Sequence, residues 1–458
     1  MSSSSRTILD ARRMSPEWLQ SVLNIKSSAP KLYAWNPSDV EPHAAPTDHI
    51  NHSQVNYKEG SDSRDDLCRR IYILGIGNLG ILFASALATL PNPPPVTLVF
   101  HKKELLLSWK HEPGIEIKRD STISKYSNLD VELWSEEPPV GRQSREVANG
   151  ESIRNLIVTT KASQALPEVD RVRRYLDSNS TVAFAQNGMC KMWPPHGTTY
   201  NTARYSQDQS SSHPNWLACV TTHGVTSLGR FKSEHASEAD IKVGPVLLNS
   251  ESHTCVSYLS KLLVRAPHLK GTAVARNDLW ILQLEKLVVN SIINPLTAVL
   301  RCKNGQLFVE KDGPTAQLMD SLLTEASAVL QAVINDSSAD SILQTPSNEE
   351  TTSNEKQVAR RDLLERFSQP RLKKMLYEVG YKVRENTSSM LQDVRAGKQT
   401  EIDEFNGWLV DMAAYLDGDL DVSCHKTLIG LVKNGSVLQA DSLSNHFPHL
   451  MSLRAPTA

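Results

Sequence analysis

The spacing of apolar residues divides the chain in two. Ile71 to Leu74 are consecutively apolar, as in a short strand; glycines follow, and from Ile81 to Leu90 the apolar positions read as a helix. Pro91, Pro93, Pro94 and Pro95 stop that helix, and VTLVF (96–100) supplies a second strand. Apolar runs at Leu156–Thr160, Thr181–Ala185 and Leu217–Thr221 read as further strands of the same sheet. Strands alternating with helices predict an α/β domain on a doubly wound parallel sheet, expected over 70–271. From about Thr272 the period is helical and stays so, over 276–300, 314–334, 358–396 and 401–417. An all-helical C-terminal domain is therefore expected over 272–445. Residues 1–69 are polar and proline-bearing, and are expected to be mobile or loosely docked. A polar low-complexity stretch at about 335–357 is expected to protrude as a disordered insertion, and 446–458 to form a tail. No internal repeat is visible.

At 458 residues the chain can hold two or three cores. A net charge of -2, from 49 basic and 51 acidic residues, gives no reason to expect nucleic acid or a membrane surface as partner. The six cysteines are scattered without a C-x-x-C pair, which argues against a zinc site or a disulfide framework. No metal is expected. No apolar run approaches the roughly 20 residues that span a bilayer. A cytoplasmic protein, monomer or homodimer, is expected; serines and arginines near the N-terminus leave a mitochondrial presequence open, though Asp10 and Glu17 weaken it.

The turn Gly75-Ile76-Gly77-Asn78-Leu79-Gly80 matches G-x-G-x-x-G, directly after one predicted strand and opening a helix. In a Rossmann-like unit the first glycine allows the tight turn and the second lets a pyrophosphate approach the backbone. The third lets helix and strand pack closely, with the helix N-terminus facing the phosphates. An NAD-preferring unit carries an acid at the end of the second strand. Here that end reads Phe100, His101, Lys102, Lys103, so a 2′-phosphate, and hence NADPH, is the expected cofactor. Lys161 and Asn187–Gly188 follow later strands and fall where such sheets bind ligands. By position alone they are equally a surface lysine and an ordinary turn. His223, in TTHG, is a rival acid–base group or a structural histidine.

Glu285 to Leu300 (EKLVVNSIINPLTAVL) reads as a largely buried helix. Lys286, Asn290 and Asn294 stand four residues apart along it, a stripe that drifts by roughly 40° per step. Either the lysine snorkels while the amides satisfy local backbone, or the stripe meets a partner. Pro295 removes the helical hydrogen bond to the carbonyl of Ser291. Near the C-terminus a break at Ala396–Gly397 precedes a helix that Thr400 can cap, with Asp403 three residues on; Glu401 then falls in its first turn.

The strings LGIGNLG, VTTKA, QNGM, KLVVNSIINPLTA and SSMLQDVRAGKQTEIDEFNG occur in this order. Together they resemble the ketopantoate reductase (2-dehydropantoate 2-reductase) family over about residues 71–440. The extension and the 335–357 insertion fall outside the match and resemble the longer fungal members. The resemblance implies that Lys286 is the general acid, and that Glu401 orients it and touches substrate. It also implies that Asn187, Asn290, Asn294 and Ser389 hydrogen-bond the substrate or its surroundings, and that Lys161 and Asn187 lie near the cofactor. His101, Lys102 and Lys103 stand where the family usually has an arginine for the 2′-phosphate.

The activity so implied is NADPH-dependent reduction of a small branched 2-oxo acid, with ketopantoate to (R)-pantoate as the first reading. The alternative is reduction of 2-ketoisovalerate to D-2-hydroxyisovalerate. A non-catalytic NADPH-binding regulator would be expected to lose the lysine or the glutamate, and both are present.

Overall fold

A computed structural model of the protein describes residues 15–40, 64–140, 143–205, 213–249, 253–343, 353–416, 419–448 and 450. They fall into two compact units: residues 22–186 with 201–275, and residues 1–21, 187–200 and 276–458.

Chain order in the first part runs α1 (Glu17–Leu23), β1 (Tyr33–Trp35), α2 (Arg64–Arg69), β2 (Ile71–Leu74), α3 (Asn78–Ala88), β3 (Val96–Phe100) and α4 (Lys103–His111). Next come β4 (Ile115–Arg119), β5 (Thr122–Tyr126), β6 (Asp130–Ser135), β7 (Asn155–Val158), α5 (Ala162–Arg171), β8 (Thr181–Phe184) and α6 (His196–Tyr205). The part closes with β9 (Asn215–Thr221), β10 (Gly224–Gly229), β11 (Lys232–Ser237), β12 (Ile241–Leu247), α7 (His253–Arg265) and β13 (Gly271–Ala273). Six strands run parallel in the order β6-β3-β2-β7-β8-β9. Every residue of β2, β3, β7 and β8 is buried, which is why these strands read as unbroken apolar runs. The strand order reverses between β2 and β7, so the crevice at their carboxyl ends is the switch point of a doubly wound sheet.

The edges depart from a purely parallel sheet. β12 pairs antiparallel with β9, and β13 lies outside it. A second sheet, β10-β11-β4-β5, is largely exposed on β5 and β10 and gave no apolar run to read.

Residues 15–40, expected to be mobile or loosely docked, are instead folded in. Leu19, Leu32, Ala34 and Trp35 are buried, and β1 extends the large sheet by pairing antiparallel with β6. Trp35 donates its indole N–H to the Glu137 carbonyl at 2.8 Å, and Lys103 Nζ stands 4.2 Å from the centre of its ring. A few anchors among polar residues hold this segment, too sparse to show a period. Residues 1–14 and 41–63 lie outside the described residues.

The helical unit comprises α8 (Arg276–Leu300), α9 (Pro314–Asn335), α10 (Ser353–Arg366), α11 (Gln369–Lys382), α12 (Ser389–Arg395), α13 (Trp408–Tyr415) and α14 (Ser423–Lys433). At 25 residues α8 is roughly 37 Å long and forms its axis, packing against α9, α11, α12 and α14. Leu284, Leu287, Val288, Ile292, Ile293 and Leu296 are its buried face. The helical stretch expected over 358–396 resolves into three helices: Pro370 opens α11 after a break, and Ser388 caps α12 by accepting the Leu391 N–H at 3.1 Å. The disordered insertion expected at 335–357 is folded at its start, where Ala339, Ile342 and Leu343 are buried; 344–352 lie outside the described residues. In the expected tail Phe447 and Leu450 are buried, and 451–458 are not described.

Trp35→Ala is expected to destabilise the sheet unit by about 3 kcal/mol, the usual scale for emptying a buried aromatic site. Circular dichroism melts of the two proteins check this; unchanged unfolding would mean the N-terminal segment is not part of the core.

Candidate active site

Lys286 lies on α8 with Asn290 and Asn294 following, as their spacing requires. Its partner comes from residues 187–200. Lys286 Nζ donates to Asn187 Oδ1 at 3.0 Å, and Asn187 Nδ2 donates to Glu401 Oε2 at 3.2 Å. The amide orientation is forced, because an ammonium can only donate and a carboxylate can only accept. One asparagine thus links a cation to an anion, and three segments far apart in sequence meet at one point.

Asn187 is itself held. Gly188 has φ +81, and a Cβ there would stand 2.7 Å from the Glu404 carbonyl oxygen. Its own carbonyl accepts from Gln283 Nε2 at 3.3 Å, while Gln283 Oε1 accepts the Trp193 indole N–H. Gln283 sits one turn before Lys286 on α8, so the same helix supplies the ammonium and steadies the amide that receives it. Glu404 is paired with Lys191 at 3.3 Å, and burial pushes its carboxyl pKa up against that pairing.

Burial lowers the Lys286 ammonium to a pKa of about 8, with the Glu401 charge opposing the shift. Desolvation wins because the ammonium loses water, while the Glu401 carboxylate that opposes the shift reaches it at second hand through an amide.

The other expected residues are placed less uniformly. Asn290 is half-buried and Asn294 buried, and neither side-chain amide has a hydrogen-bond partner among the described residues. Ser389 is exposed; its neighbour Ser388 is the buried one, capping α12 and bonding Thr297 of α8 at 2.7 Å. The cap expected from Thr400 and Asp403 is absent. Residues Asp403–Gly407 form a π-type turn without a side-chain cap, and Asp403 pairs with Lys433 at 2.8 Å. Glu401 enters that turn, its carbonyl accepting the Glu404 N–H at 3.0 Å.

In the sheet unit the glycine turn has the geometry a dinucleotide needs. Gly75 has φ +99 and packs on Thr160, whose backbone nitrogen would stand 2.7 Å from an added Cβ. At Gly80 a Cβ would meet the Gly75 carbonyl oxygen at 2.3 Å, and around Gly77 the space is open. α3 begins at Asn78 with no side chain capping its first amides, which leaves them for phosphate oxygens. Asn78 turns its side chain to the second sheet, donating to Val225 O and accepting from Ser233; Ile76 and Leu79 pack on the core. The turn therefore fits a dinucleotide through its backbone. After β3, His101, Lys102 and Lys103 are exposed, with Lys103 over Trp35. Lys161 is exposed ahead of α5, at the β7 end of the switch point. His223 is no acid–base group in this geometry: it is buried against His235 at 2.9 Å and the Leu269 carbonyl at 3.1 Å.

Two family descriptions cover most of the chain: "Ketopantoate reductase PanE/ApbA" matches residues 71–247 and "Ketopantoate reductase PanE/ApbA C terminal" matches 278–436. The chain belongs to the ketopantoate reductase family. Among its relatives is a ketoisovalerate reductase of Gibberella fujikuroi, 41% identical over 91% of this chain and 95% of that protein. A probable 2-dehydropantoate 2-reductase of Schizosaccharomyces pombe is 30% identical over 80% of this chain and 95% of its own length. The solved structure of a probable 2-dehydropantoate 2-reductase from Bacillus subtilis shares the fold, at TM-score 0.52 and 21% identity, covering 80% of this chain and all (100%) of that one. Among the described residues no helix is long and apolar enough to cross a membrane.

As a member of this family of reductases, the protein is expected to lose activity as pH rises through about 8, where Lys286 loses its proton. About a tenth of the ammonium would remain one unit higher. Glu401→Gln removes the charge that holds the pKa up, so the basic limb of the kcat/KM profile should move to lower pH. A limb that stays put would detach Glu401 from Lys286.

Proposed function

We propose that the protein is an NADPH-dependent reductase of a branched 2-oxo acid, and that ketopantoate, reduced to (R)-pantoate, is its substrate. The observation that carries this reading is the Lys286–Asn187–Glu401 chain of contacts in a member of this family. When bound, the nicotinamide nucleotide would supply the hydride that reduces the C2 carbonyl. Negative charge then develops on the carbonyl oxygen, and Lys286 Nζ stabilises it and gives up a proton there. Glu401 keeps the ammonium charged at neutral pH, and Asn187 holds its direction. The open amides of Asn290 and Asn294, one and two turns along α8, suit the substrate carboxylate and hydroxyl, and Ser389 the rim of the site. The uncapped start of α3 receives the pyrophosphate. His101 and Lys102, which follow β3 with no acid before Glu104, favour a 2′-phosphate, Lys161 stands near the same crevice, and Asn187 is a contact for the cofactor as well as the substrate.

A second substrate has its own support. The relatives named ketoisovalerate reductase from Gibberella fujikuroi and Beauveria bassiana are 41% and 40% identical, over 91% and 94% of this chain. The Schizosaccharomyces relative reaches 30% over 80%. 2-Ketoisovalerate lacks the hydroxymethyl group of ketopantoate. A site that hydrogen-bonds that hydroxyl rejects the analogue without it, by as much as ~10⁴ where buried polar groups are left unpaired.

Purified protein is expected to oxidise NADPH faster than NADH when given either 2-oxo acid, with the higher kcat/KM on ketopantoate. A higher kcat/KM on 2-ketoisovalerate would transfer the assignment to that acid, and no oxidation with either would overturn the enzyme reading. Lys286→Ala is expected to lower kcat by roughly 10²–10⁴, the usual worth of a positioned acid, with the NADPH dissociation constant little changed. Parallel loss of nucleotide binding would remove Lys286 from the acid role.

A further inference from the structure

Pro295 lies inside α8 and has no N–H, so the Ser291 carbonyl has lost its helical donor. That carbonyl is not orphaned. Asn406 Nδ2 donates to it at 2.9 Å, from the π-type turn Asp403–Gly407 that Glu401 enters. Asn406 is 0% exposed, and its Nδ2 also meets His425 Nδ1 at 2.9 Å. His425, equally buried, directs Nε2 at the Leu322 carbonyl at 3.2 Å, so Nε2 carries the proton and Nδ1 accepts. Burial pushes the histidine down to about pKa 4, which keeps it in this neutral form across physiological pH. The backbone of α14 at Cys424 and His425 is fixed in turn by Glu325, which accepts both N–H groups at 2.8 and 3.1 Å.

The orientation of the amide follows. Both acceptors demand Nδ2, and Asn406 Oδ1 is left buried with no hydrogen-bond partner among the described residues. A flipped amide would turn oxygen against the Ser291 carbonyl, so the orphaned oxygen is the cost of keeping both donations. The two elements joined are the helix bearing Lys286 and the turn that follows Glu401.

We propose that Asn406 is a positioning residue for the reduction: it replaces the N–H missing at Pro295 and thereby sets the distance between the turn of Glu401 and the helix of Lys286. This rests on the reading that Lys286 and Glu401 act together. The π-type turn supports it, since an extra residue in a helical turn re-aims side chains and such turns gather at functional sites.

The test compares wild type, Asn406→Leu, Pro295→Ala and the double variant, with Lys286→Ala as reference. Asn406→Leu is expected to lower kcat by roughly 10- to 100-fold, the scale of a misplacement near 1 Å, with NADPH affinity unchanged. Its basic pH limb should move down, because Glu401 no longer supports the ammonium. Pro295→Ala restores a backbone N–H to Ser291, so the double variant should regain most of the kcat and the limb of the wild type. A structural role alone would lower the melting temperature without moving the limb. A double variant no better than Asn406→Leu, in folding or in kcat, overturns the proposal. If Lys286→Ala is inactive while Asn406→Leu keeps both kcat and limb, the positioning role fails alone. If Lys286→Ala stays active, the catalytic reading beneath it fails.

Discussion

The helical unit is organised around one desolvated ammonium. Lys286 is drawn from water far enough to lower its pKa to about 8, and its hydrogen bond to Asn187 fixes the direction in which it points. A lysine so placed needs compensation, and the compensation arrives through Asn187 rather than by direct contact with Glu401. A direct, close ion pair would hold the proton more firmly. An amide between the charges leaves the ammonium supported and still acidic enough to donate near neutral pH, as the proposed chemistry requires.

That arrangement constrains the backbone on every side. Gly188 lies against the backbone of Glu404, so the segment bearing Asn187 and the turn after Glu401 can approach only where a Cβ is missing. Gln283 ties the same segment to α8. Pro295 and Asn406 add a second tie, in which a side-chain amide from one element does the work of a backbone amide in another. Gln283, Lys286 and Pro295 stand on one long helix, while Asn187 and Glu401 come from irregular segments that these contacts hold in place, and such fixing is what positioned acid catalysis demands. In the sheet unit the constraint is likewise steric. Gly75 and Gly80 bring strand, turn and helix closer than any side chain would permit, and the open space at Gly77 is left for a ligand.

Much of this was legible before any coordinates. The parallel strands β2, β3, β7, β8 and β9 appear as apolar runs because both faces of the sheet are covered. The glycine turn is visible because its spacing encodes a backbone shape, and α8 because its polar stripe keeps step with the helix. Elsewhere the local signal pointed to the wrong neighbour. Thr400 has the right spacing for a cap, but the chain takes a π-type turn and spends Asp403 on Lys433. Ser389 and Ser388 are indistinguishable in sequence, and packing against Thr297 decides which of them is buried. His223 could have been an acid–base group until His235 closed over it. Gln283 could have been found one turn before Lys286, on the same face; Asn406 had no periodic signal to give.

Local order is therefore what the sequence by itself determined: strands, helices, the glycine turn and the residue types along the α8 stripe. These follow from interactions within a few residues, which a linear reading contains. Only the tertiary structure decided who meets whom. Lys286 and Asn187 are 99 positions apart, and Asn187 and Glu401 are 214 apart. Contacts at that separation depend on how whole helices pack, so no spacing along the chain records them.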